Sequence, residues 1–70
     1  MPNEMLNTIY NFIRDYRTAH QGLSPSQREI AVACYINVAY VGRYLDLLEA
    51  RGRLERTRGQ ARSIRLLDGD

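Results

Sequence analysis

The sequence predicts an α+β domain: three helices in succession, then a two-stranded C-terminal β-hairpin. Three observations carry this expectation. Apolar residues recur at helical spacing in three stretches between residues 4 and 51, each with a start or stop signal of its own. From Leu54 onward the period becomes two, with Ile64 and Leu66 on one side of a strand and Arg65 on the other. Seventy residues leave room for one core only. Residues 1–70 are therefore expected to form one domain, with 68–70 as an exposed, flexible tail.

The first helix is expected from about Glu4 to about His20. Asn3 can cap it, and Glu4 suits the positive end of its dipole. Leu6, Ile9, Ile13 and Tyr16 recur at spacings of three and four, with Tyr10 and Phe12 widening the stripe. Gln21-Gly22 stops the helix, and Leu23 lies in an extended stretch able to pair weakly with a later strand. The residue before Pro25 is pushed away from helical geometry.

The second helix starts at Ser26. Ser26-Gln27-Arg28-Glu29 is a capping box, in which Ser26 caps the Glu29 amide and Glu29 reaches back. Its expected inner side is Ile30, Ala31 and Cys34, with Ala33 beside them, and it ends near Cys34-Tyr35. Ile36-Asn37 is the turn, and Asn37 caps the third helix, expected over about Val38 to Arg51. Val41, Tyr44, Leu45 and Leu48 face inward and Val38 sits at the edge. Ala39, Tyr40, Arg43, Asp46 and Leu47 are left outside. Gly52 ends the helix at a left-handed position. Leu54 opens a strand, Gly59-Gln60-Ala61 is the turn, and Ser63–Leu67 return.

The charge is distributed unevenly along this framework. Residues 51–65 hold six arginines (Arg51, Arg53, Arg56, Arg58, Arg62, Arg65) and one acid, Glu55, for a local charge of +5 in a chain of net +2. A cationic hairpin at the end of a helix suits a polyanion, double-stranded DNA above all. All ten basic residues are arginine, whose planar fork pairs with phosphate and guanine edges better than lysine does. Coding bias also produces lysine-free chains, but bias alone would spread the arginines evenly.

Composition excludes several classes. At 44% apolar and 26% charged, the chain is ordinary globular material. The longest runs without an acid or arginine, 18–27 and 30–42, are polar or interrupted, unlike the roughly 20-residue apolar span of a membrane helix. The N-terminus lacks the pattern of a signal peptide, so a cytoplasmic location is expected, with no membrane partner. A single cysteine, Cys34, rules out an internal disulfide, and no Cys/His cluster suggests a metal. No catalytic set or Gly-rich phosphate loop is apparent, so neither an enzyme nor a cofactor is expected.

Two short helices, a tight turn, a third helix and a basic hairpin make a winged helix-turn-helix. Ala31 is the small residue that lets the second helix approach the third, and Ile36 plugs the turn. In that arrangement the N-terminal half of the third helix enters the major groove.

Several segments, in order, resemble the N-terminal domain of the LexA family of repressors. They are Ile13-Arg14-Asp15, Pro25-Ser26-x-x-Glu29-Ile30-Ala31, Leu45-x-x-Leu48 with Arg51-Gly52, and Gly59-x-x-Arg62-x-Ile64-Arg65-Leu66-Leu67. The resemblance covers nearly the whole chain. It implies a DNA-reading unit that binds a palindromic operator in pairs, hence a possible homodimer, and represses transcription. The family's base-reading positions carry over to Asn37, Ala39, Tyr40, Gly42 and Arg43, but none keeps the family's residue. Tyr35 stands where such turns place glycine, and the segment from there to the third helix is one residue shorter. The family's self-cleaving serine–lysine pair belongs to a second domain with no match in these residues, so the resemblance carries no self-cleavage to them.

The candidate base contacts are thus Asn37, Ala39, Tyr40 and Arg43. Arg43 suits a bidentate contact to guanine; the plainer reading is an exposed arginine paired with Asp46 or Asp15. Tyr40 can pack on a thymine methyl, bond a phosphate, or simply support Tyr44. Asn37 is a helix cap first. Candidate backbone contacts are Ser26, Gln27 and Arg28, where free amides can hold a phosphate, and Arg58 and Arg62 beside the hairpin turn. A charged hairpin end is also a solvated surface. Cys34 reads as a buried small apolar residue and His20 as a partner of the helix dipole.

The leading expectation is sequence-specific binding of double-stranded DNA by a transcription regulator. The alternative is a winged-helix protein-interaction module, with Tyr40, Leu47 and Leu67 as its apolar patch.

Overall fold

A computed structural model describes residues 3–57 and 63–67. It contains three helices, α1 (Asn3–Ala19), α2 (Gln27–Cys34) and α3 (Val38–Ala50), followed by strands β1 (Leu54–Glu55) and β2 (Arg65–Leu66). The strands are antiparallel, with Leu54 opposite Leu66 and Glu55 opposite Arg65. This is the expected winged helix-turn-helix with a hairpin wing.

Helix α1 buries Leu6, Ile9, Tyr10 and Ile13, the i, i+3, i+4, i+7 stripe of an amphipathic helix. Its described part already includes Asn3, one residue before the expected start. Its end is sharp because Gln21 and Gly22 both take left-handed backbone (φ 59° and 91°), and the Gly22 amide closes onto the Arg17 carbonyl at 2.7 Å.

Both arms of the expected capping box are made. The Glu29 amide donates to Ser26 Oγ at 3.1 Å, and the Ser26 amide donates to Glu29 Oε1 at 2.8 Å. The other Glu29 oxygen accepts from Tyr16 Oη at 3.1 Å, which ties the start of α2 to α1. On α2 Ile30, Ala31 and Cys34 are buried, but Ala33 is exposed. Ala33 lies two residues after Ala31 and one before Cys34, and the 100° step per residue turns it off the stripe those residues make with Ile30.

The turn into α3 bends at Tyr35, whose backbone is left-handed at φ 58°. The Ile36 amide reaches back to the Ala31 carbonyl at 3.0 Å, and Ile36 packs on the core as the expected plug. On α3, Val41, Leu45 and Leu48 are fully buried. A Schellman closure ends the helix: Gly52 (φ 73°) donates to Glu49 and Arg53 to Leu48, both at 3.0 Å.

Leu54, Ile64 and Leu66 turn into the core while Arg65 points out, as strand periodicity predicts. The Leu67 amide extends the ladder by bonding the Arg53 carbonyl at 3.0 Å. Farther up, Ser63 Oγ accepts from the Thr57 amide at 3.1 Å and donates to the Thr57 carbonyl at 3.0 Å, bracing the base of the hairpin tip. Leu23 does not pair as a strand, and its half-exposed side chain faces solvent. Its neighbour Ser24 makes that link instead, accepting the Ile64 amide through its hydroxyl.

Candidate nucleic-acid interface

The outward side of α3 follows from its buried side. With Val41, Leu45 and Leu48 inside, the 100° step per residue points Ala39, Arg43 and Asp46 directly away from the core, with Tyr40 beside them. All four are exposed. Asn37 sits at the head of this face, and its Oδ1 accepts the Ala39 amide at 2.8 Å. It is the N-cap the sequence predicts. Gly42 is half-buried against α2, since a Cβ there would lie 3.8 Å from Gln27 Oε1. That contact brings the start of α2 alongside the N-terminal half of α3. Of the sequence-predicted residues on α2, Gln27 is thereby brought beside α3, while Arg28 borders a groove against α1.

At the start of α2 the capping box consumes part of what a phosphate would use. The Ser26 and Glu29 amides are already bonded, which leaves those of Gln27 and Arg28. The exposed Arg28 side chain borders a shallow apolar groove with Phe12, Tyr16, Val32 and Ala33.

The wing arginines divide into different roles. The Arg53 guanidinium lies 4.1 Å from the centre of the Tyr10 ring and donates to Asn7 Oδ1 at 3.0 Å, so it faces α1. Arg56 is drawn onto α3: it bonds Asp46, and its Nε stands 3.6 Å from Glu49 Oε1. Arg65 pairs with Glu55 across the strands. Two acids of α3, Asp46 and Glu49, therefore offset part of the wing's positive charge in space. Arg58 and Arg62, the expected backbone contacts, lie outside the described residues.

Arg43 has no ion pair among the described residues. Its two expected competitors are engaged elsewhere, Asp46 with Arg56 and Asp15 with Arg14 at 3.3 Å. Sequence reading missed the Arg56 contact, although a signal was present. Arg56 is in phase with Leu54, so strand alternation turns it inward, where an arginine needs an acid.

Leu47, expected outside, is half-buried and packs against the core. The apolar patch of the alternative reading is thereby reduced to Tyr40 and Leu67, which are 54% and 47% exposed. Cys34 is buried, and burial pushes its thiol pKa up. His20 Nδ1 meets the Tyr16 carbonyl at 2.8 Å in the last turn of α1, and its ring stacks on Tyr16. Among the described residues no group of three His, Cys, Asp or Glu side chains could hold a metal ion. No described helix is long and apolar enough to cross a membrane.

Comparison with known proteins places the chain beside repressors. A LexA repressor of Xylella fastidiosa strain M12 is 42% identical over 65 residues, covering 91% of this chain and 30% of the repressor. LexA repressors of strains M23 and Temecula1 are each 52% identical over 46 residues, 64% of this chain and 22% of theirs. The chain thus spans less than a third of the length of these curated relatives. No family model matches it. The resemblance read from the motifs is borne out by these similarities.

Proposed function

We propose that this chain, similar over most of its length to LexA repressors, is a DNA-reading domain of a repressor-like transcription regulator. In this reading α3 lies in the major groove of double-stranded DNA, where Ala39, Tyr40 and Arg43 meet base edges and Asn37 lies at the groove's rim. Ser26, Gln27 and Arg28 approach one phosphate, and Arg58 and Arg62 hold the backbone or minor groove beside the wing. The observation that carries the reading is the exposed outer face of α3, where Arg43 has no ion pair among the described residues, beside the start of α2 at Gln27. An exposed arginine on the third helix of a helix-turn-helix, with no ion pair among the described residues, suits a guanine edge.

Two copies on a palindromic site, with half-sites about 34–36 Å apart, match this architecture. A fluorescent duplex titrated at several salt concentrations tests the reading. With about five phosphates neutralised, log affinity falls against log salt with a slope of roughly −4 to −5. Absence of binding even at low salt refutes it. Selection from random duplexes then reports preference, half-site spacing and stoichiometry together. Arg43→Ala should relax the preference, whereas Arg58→Ala and Arg62→Ala should weaken all duplexes alike.

A further inference from the structure

The engagement of Asp46 carries an inference that rests on the DNA-binding reading. Asp46 follows Arg43 by three residues on the outer face of α3, the spacing at which helical ion pairs form. Both side chains are exposed, yet they do not pair. The Asp46 carboxylate is bonded instead to Arg56 of the wing. The Arg56 side chain is only 12% exposed and lies between Asp46 and Glu49, carboxylates on successive turns of α3. A guanidinium held by two acids and by packing has little freedom left to lose. It therefore outcompetes the exposed Arg43 for Asp46.

We propose that Arg56 is a positioning residue for sequence preference: by holding Asp46 it leaves the Arg43 guanidinium free for a base edge. The same contact neutralises a carboxylate that would otherwise face the phosphates. Without Arg56, Asp46 turns to its i−3 neighbour and competes with the base for the same donors. Arg56 itself touches no DNA in this account.

The test uses the full chain, its Arg56→Gln, Asp46→Asn and doubly substituted variants, the duplex preferred in random selection, and a scrambled duplex. Thermal melts accompany each titration. Arg56→Gln should lose about fivefold or more of the preference between the two duplexes, the lower end of what one arginine–guanine contact carries. Asp46→Asn should keep the preference, and adding it to Arg56→Gln should restore what was lost. A double variant as unselective as Arg56→Gln shows that Arg56 acts only by holding the wing, and overturns the proposal. So does an Arg56→Gln variant with unchanged preference. Asp46→Asn leaves Arg56 on Glu49, and a loss of preference there makes Asp46 itself a reader and overturns the proposal even where Arg56→Gln does not fold. Failure of the DNA-binding reading looks different: the unsubstituted chain binds neither duplex at low salt, and this proposal falls with it.

Discussion

The hydroxyl of Ser24 accepts the backbone amide of Ile64 at 3.2 Å, joining the α1–α2 loop to the wing across 40 residues of chain. Ser24 is 2% exposed and Ile64 7%, so water has little access to that amide. The bond substitutes for a third strand. Here a side chain, set beside the strands, ties the loop to the wing.

Ser24→Ala should therefore cost more than an average surface hydrogen bond. It leaves a buried donor unsatisfied, a penalty of about 1–3 kcal/mol. For a domain this small, each kcal/mol lowers the melting temperature by roughly 4–8 °C. Thermal denaturation in the absence of DNA checks it. A melting temperature within a degree of the parent would show that the amide finds another partner.

The start of α2 is fixed by three side chains acting together. Ser26→Ala removes one arm of the capping box and should cost about 1 kcal/mol. Glu29→Ala should cost more, because Glu29 accepts from both the Ser26 amide and Tyr16 Oη. Urea unfolding of the two variants, and of Tyr16→Phe, separates the cap from the tie to α1. Equal losses for Ser26→Ala and Glu29→Ala would remove the Tyr16 contact from the account.

The parts of the fold legible in sequence were those set by local rules. The α1 stripe, the capping box, the Asn37 cap, the Gly52 stop and the alternation of Ile64, Arg65 and Leu66 each depend on residues within a few positions of one another. The legible part of the candidate site was the outer face of α3, since burying Val41, Leu45 and Leu48 dictates what is left outside. Contacts between distant segments were not legible. Arg56 with Asp46, Arg53 over Tyr10 and Ser24 with Ile64 depend on how the hairpin leans against the helices. Counting charge along the chain consequently overstated the wing's excess, because two of the acids that offset it belong to α3.

Cys34 should behave as a structural thiol. Burial raises its pKa, so the folded state holds the thiol proton more tightly than the unfolded chain does. The sign follows directly: this contribution is fully present below the unfolded thiol pKa and is lost as pH rises through the folded one. Stability should thus fall more steeply in the alkaline range for the parent than for Cys34→Ala. Native protein at pH 8 should react with a maleimide far more slowly than protein unfolded in urea. Equal rates would mean the thiol is open to solvent in the folded state.

Tyr35 occupies a backbone position that ordinarily belongs to glycine. Its φ is 58° and its side chain 95% exposed, so the left-handed conformation is not offset by packing of the ring. That conformation costs a residue with a Cβ about 1–2 kcal/mol. Glycine relieves this cost but loses more conformational entropy on folding, roughly 0.5–1 kcal/mol. Tyr35→Gly should therefore be neutral or stabilise by up to about 1.5 kcal/mol, the difference of those two effects. Urea unfolding measures the stability, and titration with duplex shows whether the ring has a second use. Unchanged affinity fits a Tyr35 that only spans the turn. Lost affinity with gained stability would mean that the strain is retained because the exposed ring contacts the DNA.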